Sequence, residues 1–248
     1  MKLFQNSVYL AWADTKARYK KSILGPFWPV LTNLIGVLGL SVVWANLLHE
    51  NMTTFVPSLT LGLIAWQLIS GTLIDGPVTF YRQAGMIKNV AIPAWFFVLR
   101  LLARHTINML HNVVIVIGVM FFFKVQITWT TLLVIPGLIL VLLNLFWIMF
   151  LLGMLGARFR DIEHLVNSAV PLLFFVSPVV YRINRLPANL NIVWFNPLSY
   201  FIEVVRAPVL GHVPGHNAYM IMIVLFITGS LTTWAYYKSY GKRLAFWV

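Results

Sequence analysis

Cysteine is absent from this 248-residue chain and charge is scarce, since only 10% of its residues are Asp, Glu, Lys or Arg. Without thiols the chain can form no disulfide framework, no thiolate metal site and no cysteine nucleophile. Soluble domains are about a quarter charged, so no soluble domain of useful size is expected. Hydrophobic residues make up 60% of the chain, in runs long enough to cross a bilayer. The sequence therefore predicts an all-α membrane protein with one membrane domain.

Motifs for catalysis are also missing. A phosphate-binding loop needs GxxxxGK[ST] between a strand and a helix, whereas Gly241 and Lys242 are followed by Arg243. The sequence has no HExxH or GxSxG motif, no histidines at metal-ligand spacing, and no carboxylate pair within an apolar run. We therefore predict that this chain is no enzyme, does not hydrolyse ATP itself, and holds no metal or cofactor.

The few charged residues are mostly basic, with 18 Lys and Arg against six Asp and Glu, a formal charge of +12. In a soluble protein this excess would suggest a nucleic-acid partner. In a membrane chain, the bias of Lys and Arg towards cytoplasmic loops and contact with anionic headgroups explain it. We therefore expect membrane lipids and no nucleic acid as partners. A phosphate-bearing substrate is the alternative explanation.

The N-terminus, residues 1–26, predicts an amphipathic helix at the cytoplasmic membrane interface. Apolar side chains recur on one face at steps of about 3.6 residues, with Thr15 filling a gap: Phe4, Val8, Trp12, Tyr19 and Ile23. The charged side chains fall on the other face: Asp14, Lys16, Arg18, Lys20 and Lys21. Asp14 and Arg18 are four residues apart and can pair. Such a helix lies in the membrane surface and can also meet a soluble partner; the alternative is a basic flank that only orients the first span.

Six apolar runs within residues 27–237 predict six membrane spans. They are placed at 27–48, 58–74, 106–123, 132–155, 165–181 and 218–237. The third begins late because Arg100, Arg104 and His105 interrupt the apolar residues before it. Pro171 and Pro178 predict a kink in the fifth. With both termini in the cytoplasm, including a tail over residues 238–248, 14 of the 18 Lys and Arg residues face inwards, as the charge bias requires.

Short segments of two kinds connect these spans. Arg82 to Asn89 and Arg158 to Glu163 are charged and cytoplasmic. They are either handles through which a soluble motor tilts the spans or ordinary loops. Between the fifth and sixth spans, residues 192–195 and 198–205 are too short to cross and too apolar for an open loop. We predict short re-entrant helices on the outer side there.

Several of these segments together resemble the polysaccharide-exporting ABC-2 permeases, the transmembrane subunits of O-antigen, capsule and teichoic-acid exporters. The resemblance rests on four segments. The first is the N-terminal run of Asp14, Thr15, Arg18, Tyr19 and Lys20 into Ser22, Leu24, Gly25, Pro26 and Trp28, and the second is Ile87 to Asn89 with Pro93. The third is Arg158 to Ile162, and the fourth contains Ser177, Pro178 and Tyr181 followed by Asn196, Pro197, Leu198, Glu203, Arg206 and Gly211. These segments cover nearly the whole chain and follow the order found in that family.

The resemblance implies one ABC-2 type transmembrane domain over residues 1–248, a homodimer, and two copies of a cytoplasmic ABC ATPase that binds the ATP and Mg. The cargo would be a lipid-linked polysaccharide, O-antigen first, exported across the inner membrane. The ATPase would dock on the N-terminal helix and the two charged segments, at Asp14, Arg18, Tyr19, Lys20, Arg82, Lys88, Arg158, Arg160, Asp161 and Glu163. An outer gate would contain Pro178, Asn196, Pro197, Glu203 and Arg206.

Two further sets of residues suit such a cargo. Sugar C–H faces pack on aromatic rings, and the spans that the resemblance places around the conduit carry Trp28, Trp44, Trp66, Phe174, Phe175 and Tyr181. Packing against lipid explains the same rings. A lipid diphosphate is an anion that arginine binds well, and the candidates are Arg82, Lys88, Arg100 and Arg104. The cytoplasmic charge bias accounts for these residues equally.

Other functions fit parts of the sequence. A drug or small-lipid ABC-2 exporter would have the same architecture, and glycan-dependent ATPase activity would separate the two. An ATP-independent secondary transporter commonly uses buried ionisable pairs, which the second to sixth spans lack. An integral-membrane glycan-transferring enzyme needs a catalytic acid or base in a cleft. Failure to co-purify any ATPase would favour these last two.

Overall fold

The computed structural model describes residues 2–18, 25–181 and 192–248, and every regular element in these ranges is helical. The helices are α1 (Lys2–Arg18), α2 (Trp28–Leu47), α3 (Met52–Asp75), α4 (Ala84–Asn89), α5 (Ala94–Phe122), α6 (Val134–Arg158), α7 (Asp161–Val176), α8 (Ile192–Phe195), α9 (Pro197–Val209), α10 (His216–Tyr240) and α11 (Leu244–Trp247). The prediction of an all-helical chain is confirmed.

Five of the described helical stretches are long and apolar enough to cross a membrane. They contain α2, α3, α5, α6 and α10, which correspond to the predicted first, second, third, fourth and sixth spans. The helix at the fifth predicted span, α7, has 16 residues. It is therefore about 24 Å long, less than the roughly 30 Å of a bilayer's hydrocarbon layer. The chain is a multi-pass membrane protein, and the count of six spans stays a prediction.

The central helix of the bundle is α3, which contacts α2, α5, α6, α7 and α9. It begins where the Asn51 side chain accepts a hydrogen bond from the backbone N–H of Thr53, an N-cap that satisfies one of the free donors of the first turn. Large apolar side chains such as Phe55, Leu59 and Ile69 are fully buried along it. Three of the other long helices, α2, α5 and α6, therefore pack directly on α3, while α10 packs on α6 and α9.

Amide side chains join the spans inside the bundle. Asn33 of α2 donates hydrogen bonds to Gln67 Oε1 of α3 at 2.7 Å and to Asn112 Oδ1 of α5 at 2.8 Å, and Asn112 also donates to Gln67 at 3.1 Å. On the other side, Asn144 of α6 donates to the Met222 carbonyl of α10 at 3.1 Å. Such bonds contribute about 0.6–2 kcal/mol each in a membrane. They fix the orientations of α2 and α10, and the sequence reasoning did not identify them.

Several observed helices begin or end at residues other than those predicted. The second span begins at Met52 instead of Ser58, so most of the predicted 49–57 loop is helix and Pro57 lies inside α3. The third span is predicted to cross the lipid at 106–123, with its earlier turns at the interface, and the helix that contains it begins at Ala94. The charged residues that interrupt its apolar pattern have partners that keep them within one helix. The predicted 156–164 loop is a turn of two residues between α6 and α7, and the predicted tail continues α10 to Tyr240 before α11.

The two ends of the bundle differ in character. One end carries α1, α4, the turn between α6 and α7, and α11, and we call it the basic end. The opposite end, which we call the far end, carries the turn after α5, residues 177–181 and α9. Both ends contain the charged contacts described next, and apolar packing fills the length between them.

Candidate functional site

At the basic end, α1 packs along α5 through small side chains. The buried residues of α1 are Ser7, Ala11 and Thr15. Small residues let two helices approach closely, and this face is the buried part of the contact with α5. The larger apolar side chains Phe4, Val8 and Trp12 are partly exposed, and the Trp12 ring stacks on His111 of α5 with ring centres 6.4 Å apart. Phe4 and Val8 line an open apolar groove of about 430 Å³ with α5 and α6.

Asp14 of α1 forms an ion pair with Arg100 of α5. Arg100 Nε donates to Asp14 Oδ2 at 2.8 Å, and Arg100 Nη2 donates to Oδ1 at 2.7 Å. Two parallel, charge-assisted bonds of this kind are strong and fix orientation. Arg18, the predicted partner of Asp14, ends α1, and its side chain lies outside the described residues. Asp14 is therefore described only in its pair with a residue 86 positions along the chain.

One turn further along α5, Asp75 at the end of α3 binds three side chains, and we call Asp75, Arg82, Arg104 and His105 the Asp75 cluster. Arg104 Nη2 donates to Asp75 Oδ2 at 2.7 Å, and His105 Nε2 lies 3.0 Å from the same oxygen. Arg82 Nη1 donates to Oδ1 at 3.2 Å. The cluster therefore joins α3, α5 and the turn that leads into α4.

A small polar cavity of about 60 Å³ lies between the two ion-pair sites, and Asp14, Arg82, Arg100 and Arg104 line it. Nη1 of Arg100 is buried and has no hydrogen-bond partner among the described residues. Among the described residues, the two carboxylates of Asp14 and Asp75 bind the three guanidinium groups of Arg82, Arg100 and Arg104. Of the four residues predicted to bind a lipid diphosphate, three therefore lie together, while Lys88 is exposed on α4 and does not line the cavity.

The turn before α4 also contacts α7. The Tyr81 hydroxyl donates to Glu163 Oε2 at 2.5 Å, and the Arg160 guanidinium lies 4.1 Å from the centre of the Tyr81 ring, a cation–π contact. The hydrogen bond to Glu163 is the main cause that raises the pKa of Tyr81 above its ordinary value. The two predicted charged segments are thus one continuous surface, on which Asp161 is exposed.

The C-terminal helix α11 belongs to the same surface, although the sequence predicts only a tail there. Leu244 is buried, and α11 contacts α6 and α4. The Arg158 guanidinium lies 4.9 Å, 5.4 Å and 5.5 Å from the ring centres of Phe159, Tyr240 and Trp247. Arg158 therefore holds the C-terminus against the bundle in addition to its predicted docking role. Of the other predicted docking residues, Tyr19 and Lys20 lie outside the described residues.

The six aromatic residues predicted for a conduit lie in different environments. Trp66 is 8% exposed and packs inside the subunit against Phe174, with ring centres 5.6 Å apart. Trp28 and Phe175 are exposed on α2 and α7, at 54% and 67%. Trp44 is half-buried, and the Tyr181 hydroxyl donates to the Val176 carbonyl at 2.9 Å. Within one subunit, therefore, Trp28 and Phe175 are the rings most open to a ligand.

At the far end, Arg206 of α9 holds the segment after α7. Arg206 Nη1 donates to the carbonyls of Pro178 at 2.6 Å and Tyr181 at 3.4 Å, and Nη2 donates to Glu203 Oε2 at 3.3 Å. We call these contacts the Arg206 network. The Arg206 side chain is only 5% exposed, and this degree of burial requires such partners for its charge.

Asn196 makes the second link between α9 and this segment. Its Oδ1 accepts from the backbone N–H of Leu198 at 3.0 Å as an N-cap, and its Nδ2 donates to Ser177 Oγ at 2.8 Å. Pro197 follows at the first helical position, where its missing N–H costs nothing. The structure thus brings together all five residues predicted for an outer gate.

These features define a multi-pass helical membrane domain of the permease class, with its charged contacts gathered at the two ends. The chain belongs to the ABC-2 type transporter family, whose model matches residues 5–210.

Three curated relatives are named O-antigen export system permease protein RfbA. Two are from Klebsiella pneumoniae and are 24% identical over 233 residues and 23% identical over 236 residues; both alignments cover 93% of this chain and 89% of the relative. The third, from Myxococcus xanthus, is 22% identical over 180 residues, with 72% of this chain and 69% of the relative covered.

Proposed function

We propose that this chain is the transmembrane permease subunit of an ABC exporter that moves a lipid-linked polysaccharide, O-antigen, across the inner membrane. The observation that carries this proposal is the similarity to O-antigen export permeases over 93% of the chain. Membership of the ABC-2 family supports a transport subunit rather than an enzyme. In this proposal the chain forms a homodimer, and two copies of a separate ABC ATPase bind the ATP and Mg.

The proposed orientation places the basic end in the cytoplasm, because Lys and Arg concentrate on that side of a membrane. Both termini then lie inside. The fifth of the six crossings is made by α7 together with residues 177–181, which continue the chain beyond the 24 Å of the helix. The short helix α9 then enters the membrane from the outer side, and the Arg206 network holds it beside the outer end of α7.

The proposed ATPase-docking surface is the continuous face at the basic end. It consists of α1, the turn before α4 with Arg82, α4 with Lys88, and the turn between α6 and α7 with Arg158, Arg160, Asp161 and Glu163. The contacts of Tyr81 with Arg160 and Glu163 support one rigid surface rather than separate loops. The position of α11 against α4 and α6 adds the C-terminus to it.

The proposed glycan path uses the exposed faces of α2 and α7, where Trp28 and Phe175 are open to a second copy or to a ligand. The lipid diphosphate would enter beside Arg82, Arg100 and Arg104, where three guanidinium groups lie close together and Nη1 of Arg100 has no hydrogen-bond partner among the described residues. A 60 Å³ cavity must widen to admit a diphosphate. Headgroup binding would therefore require the ion pairs with Asp14 and Asp75 to open.

Purification of the tagged chain from its own cells in mild detergent tests the function. We expect an ABC ATPase to co-purify in equal amount, and its ATP hydrolysis to rise several-fold when lipid-linked O-antigen from the same cells is added. Capsular or teichoic-acid precursors, and small lipids or drugs, are the matched comparisons. If one of these molecules stimulates ATP hydrolysis and O-antigen does not, that molecule is the cargo instead of O-antigen. Transport by the chain alone, without an ATPase, would contradict the proposal and favour a secondary transporter.

The orientation and the docking surface can be tested together, because a chain without cysteine has no labelling background. Single-cysteine variants Lys88→Cys and Gln126→Cys place a thiol on an exposed residue at each end. We expect a membrane-impermeant maleimide to label only position 126 in intact spheroplasts and position 88 in inside-out vesicles. Added ATPase subunit should reduce labelling at 88 at least threefold and leave position 126 unchanged. Labelling of position 88 from outside would refute this orientation.

A further inference from the structure

The two proposed docking elements, α1 and the turn before α4, are both attached by charged side chains to the same short stretch of α5. Arg100 of this stretch holds Asp14 of α1. Arg104 and His105, one turn further along, share Asp75 with Arg82 of the turn. Residues 100–105 form less than two helical turns, about 8 Å of helix. Two elements far apart in sequence therefore meet one point on one membrane span.

We propose that Asp14 and Asp75 are positioning residues that couple these two docking elements to α5, so that ATPase movement displaces this span. The inference rests on the proposed export function. It concerns the transmission of force within the subunit, which is distinct from docking and from glycan binding.

The burial of the groups supports a mechanical connection. The side chains of Arg100, Arg104, His105 and Asp75 are largely withdrawn from solvent, so their ion pairs are screened less than surface pairs. The Asp14–Arg100 pair has a fork geometry that resists rotation. Arg82 is mostly exposed, so its link to Asp75 is the weaker of the two connections. Displacement of α1 is therefore expected to reach α5 more efficiently than displacement of α4.

The rest of the α1–α5 contact cannot replace this pair. The buried residues of α1 are Ser7, Ala11 and Thr15, and the hydroxyls of Ser7 and Thr15 donate to carbonyls within α1 itself. These contacts and the stacking of Trp12 on His111 hold α1 against α5, whereas the two-point ion pair fixes the register. Replacing Asp14 should therefore leave α1 packed on α5 while loosening the mechanical connection.

The same arginines are also the candidates for binding a lipid diphosphate, and a charge exchange separates the two roles. In Asp14→Arg/Arg100→Asp the ion pair is restored with its members exchanged, while the cation on α5 is lost. Arg100→Lys makes the opposite change, because lysine keeps the positive charge but lacks the planar fork. Positioning predicts recovery in the exchange variant and partial loss in the lysine variant. Headgroup binding predicts loss of activity in the exchange variant and retained activity in the lysine variant.

The test uses the permease with its ATPase in proteoliposomes that contain lipid-linked O-antigen extracted from the same cells. The measured quantity is glycan translocated per ATP hydrolysed, which a merely structural role would not change selectively. We expect Asp14→Asn and Asp75→Asn to lower this ratio at least tenfold while the ATPase stays bound. The exchange variant should return to within threefold of the original protein. Lys124→Gln, a change to an exposed charge at the far end of the bundle and outside the docking surface, is the control and should have no effect.

Three outcomes overturn the inference. The first is an unchanged amount of glycan translocated per ATP in Asp14→Asn. The second is full activity of Arg100→Lys together with an exchange variant that is as inactive as Asp14→Asn. The third is a lower amount of glycan translocated per ATP in the Asn variants that is fully explained by a lower amount of folded protein on size-exclusion chromatography. If the unmodified complex does not translocate O-antigen at all, the proposed function fails instead, so the two failures are distinguishable.

Discussion

Replacing Arg206 with Met is expected to lower the stability of the protein by about 3 kcal/mol. Met keeps the length of the side chain but has no donors, so the carbonyl of Pro178 and the carboxylate of Glu203 lose their bonds from Nη1 and Nη2. Removing one member of a buried ion pair costs about 3–5 kcal/mol. The lower figure applies here because Glu203 retains some contact with solvent. By the scaling for soluble domains, the unfolding midpoint should fall by roughly 6–12 °C.

The control variant for Arg206 is Glu203→Gln, which leaves both carbonyl bonds of the guanidinium in place. It should shift the midpoint by less than a third as much, measured by size-exclusion chromatography of the detergent-solubilised protein after heating. We also expect Arg206→Met to abolish most O-antigen at the cell surface, because α9 is no longer held to residues 177–181. Normal stability of Arg206→Met would show that the carbonyls find other donors and that the network is dispensable.

Gly156→Ala is expected to have the second largest effect, a net destabilisation of about 2 kcal/mol. A Cβ at this position of α6 would lie within 2.7 Å of the Pro77 Cα and closer still to its carbonyl oxygen. Both atoms belong to the backbone after α3, so no side chain can rotate away. Overpacking of this kind costs about 1–3 kcal/mol or more. The better helix propensity of alanine returns about 1 kcal/mol, which leaves a loss.

The matched control is Gly118→Ala in α5, where an added Cβ would meet nothing within 4 Å. This variant should be neutral or slightly stabilised, because only the helix propensity changes. Gly156→Ala should also weaken ATPase binding, since displacing Pro77 moves Tyr81 and Arg82 of the docking surface. Thermal midpoints and the amount of co-purified ATPase measure the two effects. Equal behaviour of the two alanine variants would mean that α6 can move away from residue 77 at no cost.

The helical framework could be predicted from hydropathy, but the start of α5 could not. Arg100, Arg104 and His105 lower the local hydropathy, so the sequence predicts that the span begins after them. In the structure they lie within α5 because Asp14 and Asp75 bind them. These partners are 86, 29 and 30 positions away, beyond the reach of any local pattern. Hydropathy identifies where lipid begins, and it does not identify where a helix begins.

The packing of α1 illustrates a second limit. Helical periodicity predicts an apolar face with Phe4, Val8 and Trp12 and a charged face opposite. The residues of α1 that are buried are Ser7, Ala11 and Thr15, which carry little hydrophobic signal. Contacts between membrane helices depend on close approach rather than on hydrophobicity. A pattern of large apolar residues therefore indicates the lipid-facing side of such a helix.

The candidate sites also divide into contacts that a local pattern predicts and contacts that form only in the folded chain. The start of α9 could be predicted, because Asn196 and Pro197 form a helix start that is readable locally, and the resemblance to exporters places Arg206 in the same group. Their role as an outer gate stays a prediction. The aromatic packing around Arg158 could not be predicted, because α11 meets α6 and α4 only in the folded chain. Likewise, three arginines without their carboxylates suggest a free anion site, and only the structure shows how far Asp14 and Asp75 neutralise it.

The continuity of α5 has a mechanical consequence. It is one helix of 29 residues without proline, about 43 Å long, and its ion-paired residues lie near one end. A rod of that length turns a tilt of about 10° into a displacement of roughly 7 Å at the opposite tip. No hinge within the helix would absorb such a swing. A modest push at Arg100 would therefore reach the outer side of the bilayer, beyond Phe122, as a movement wider than a sugar ring.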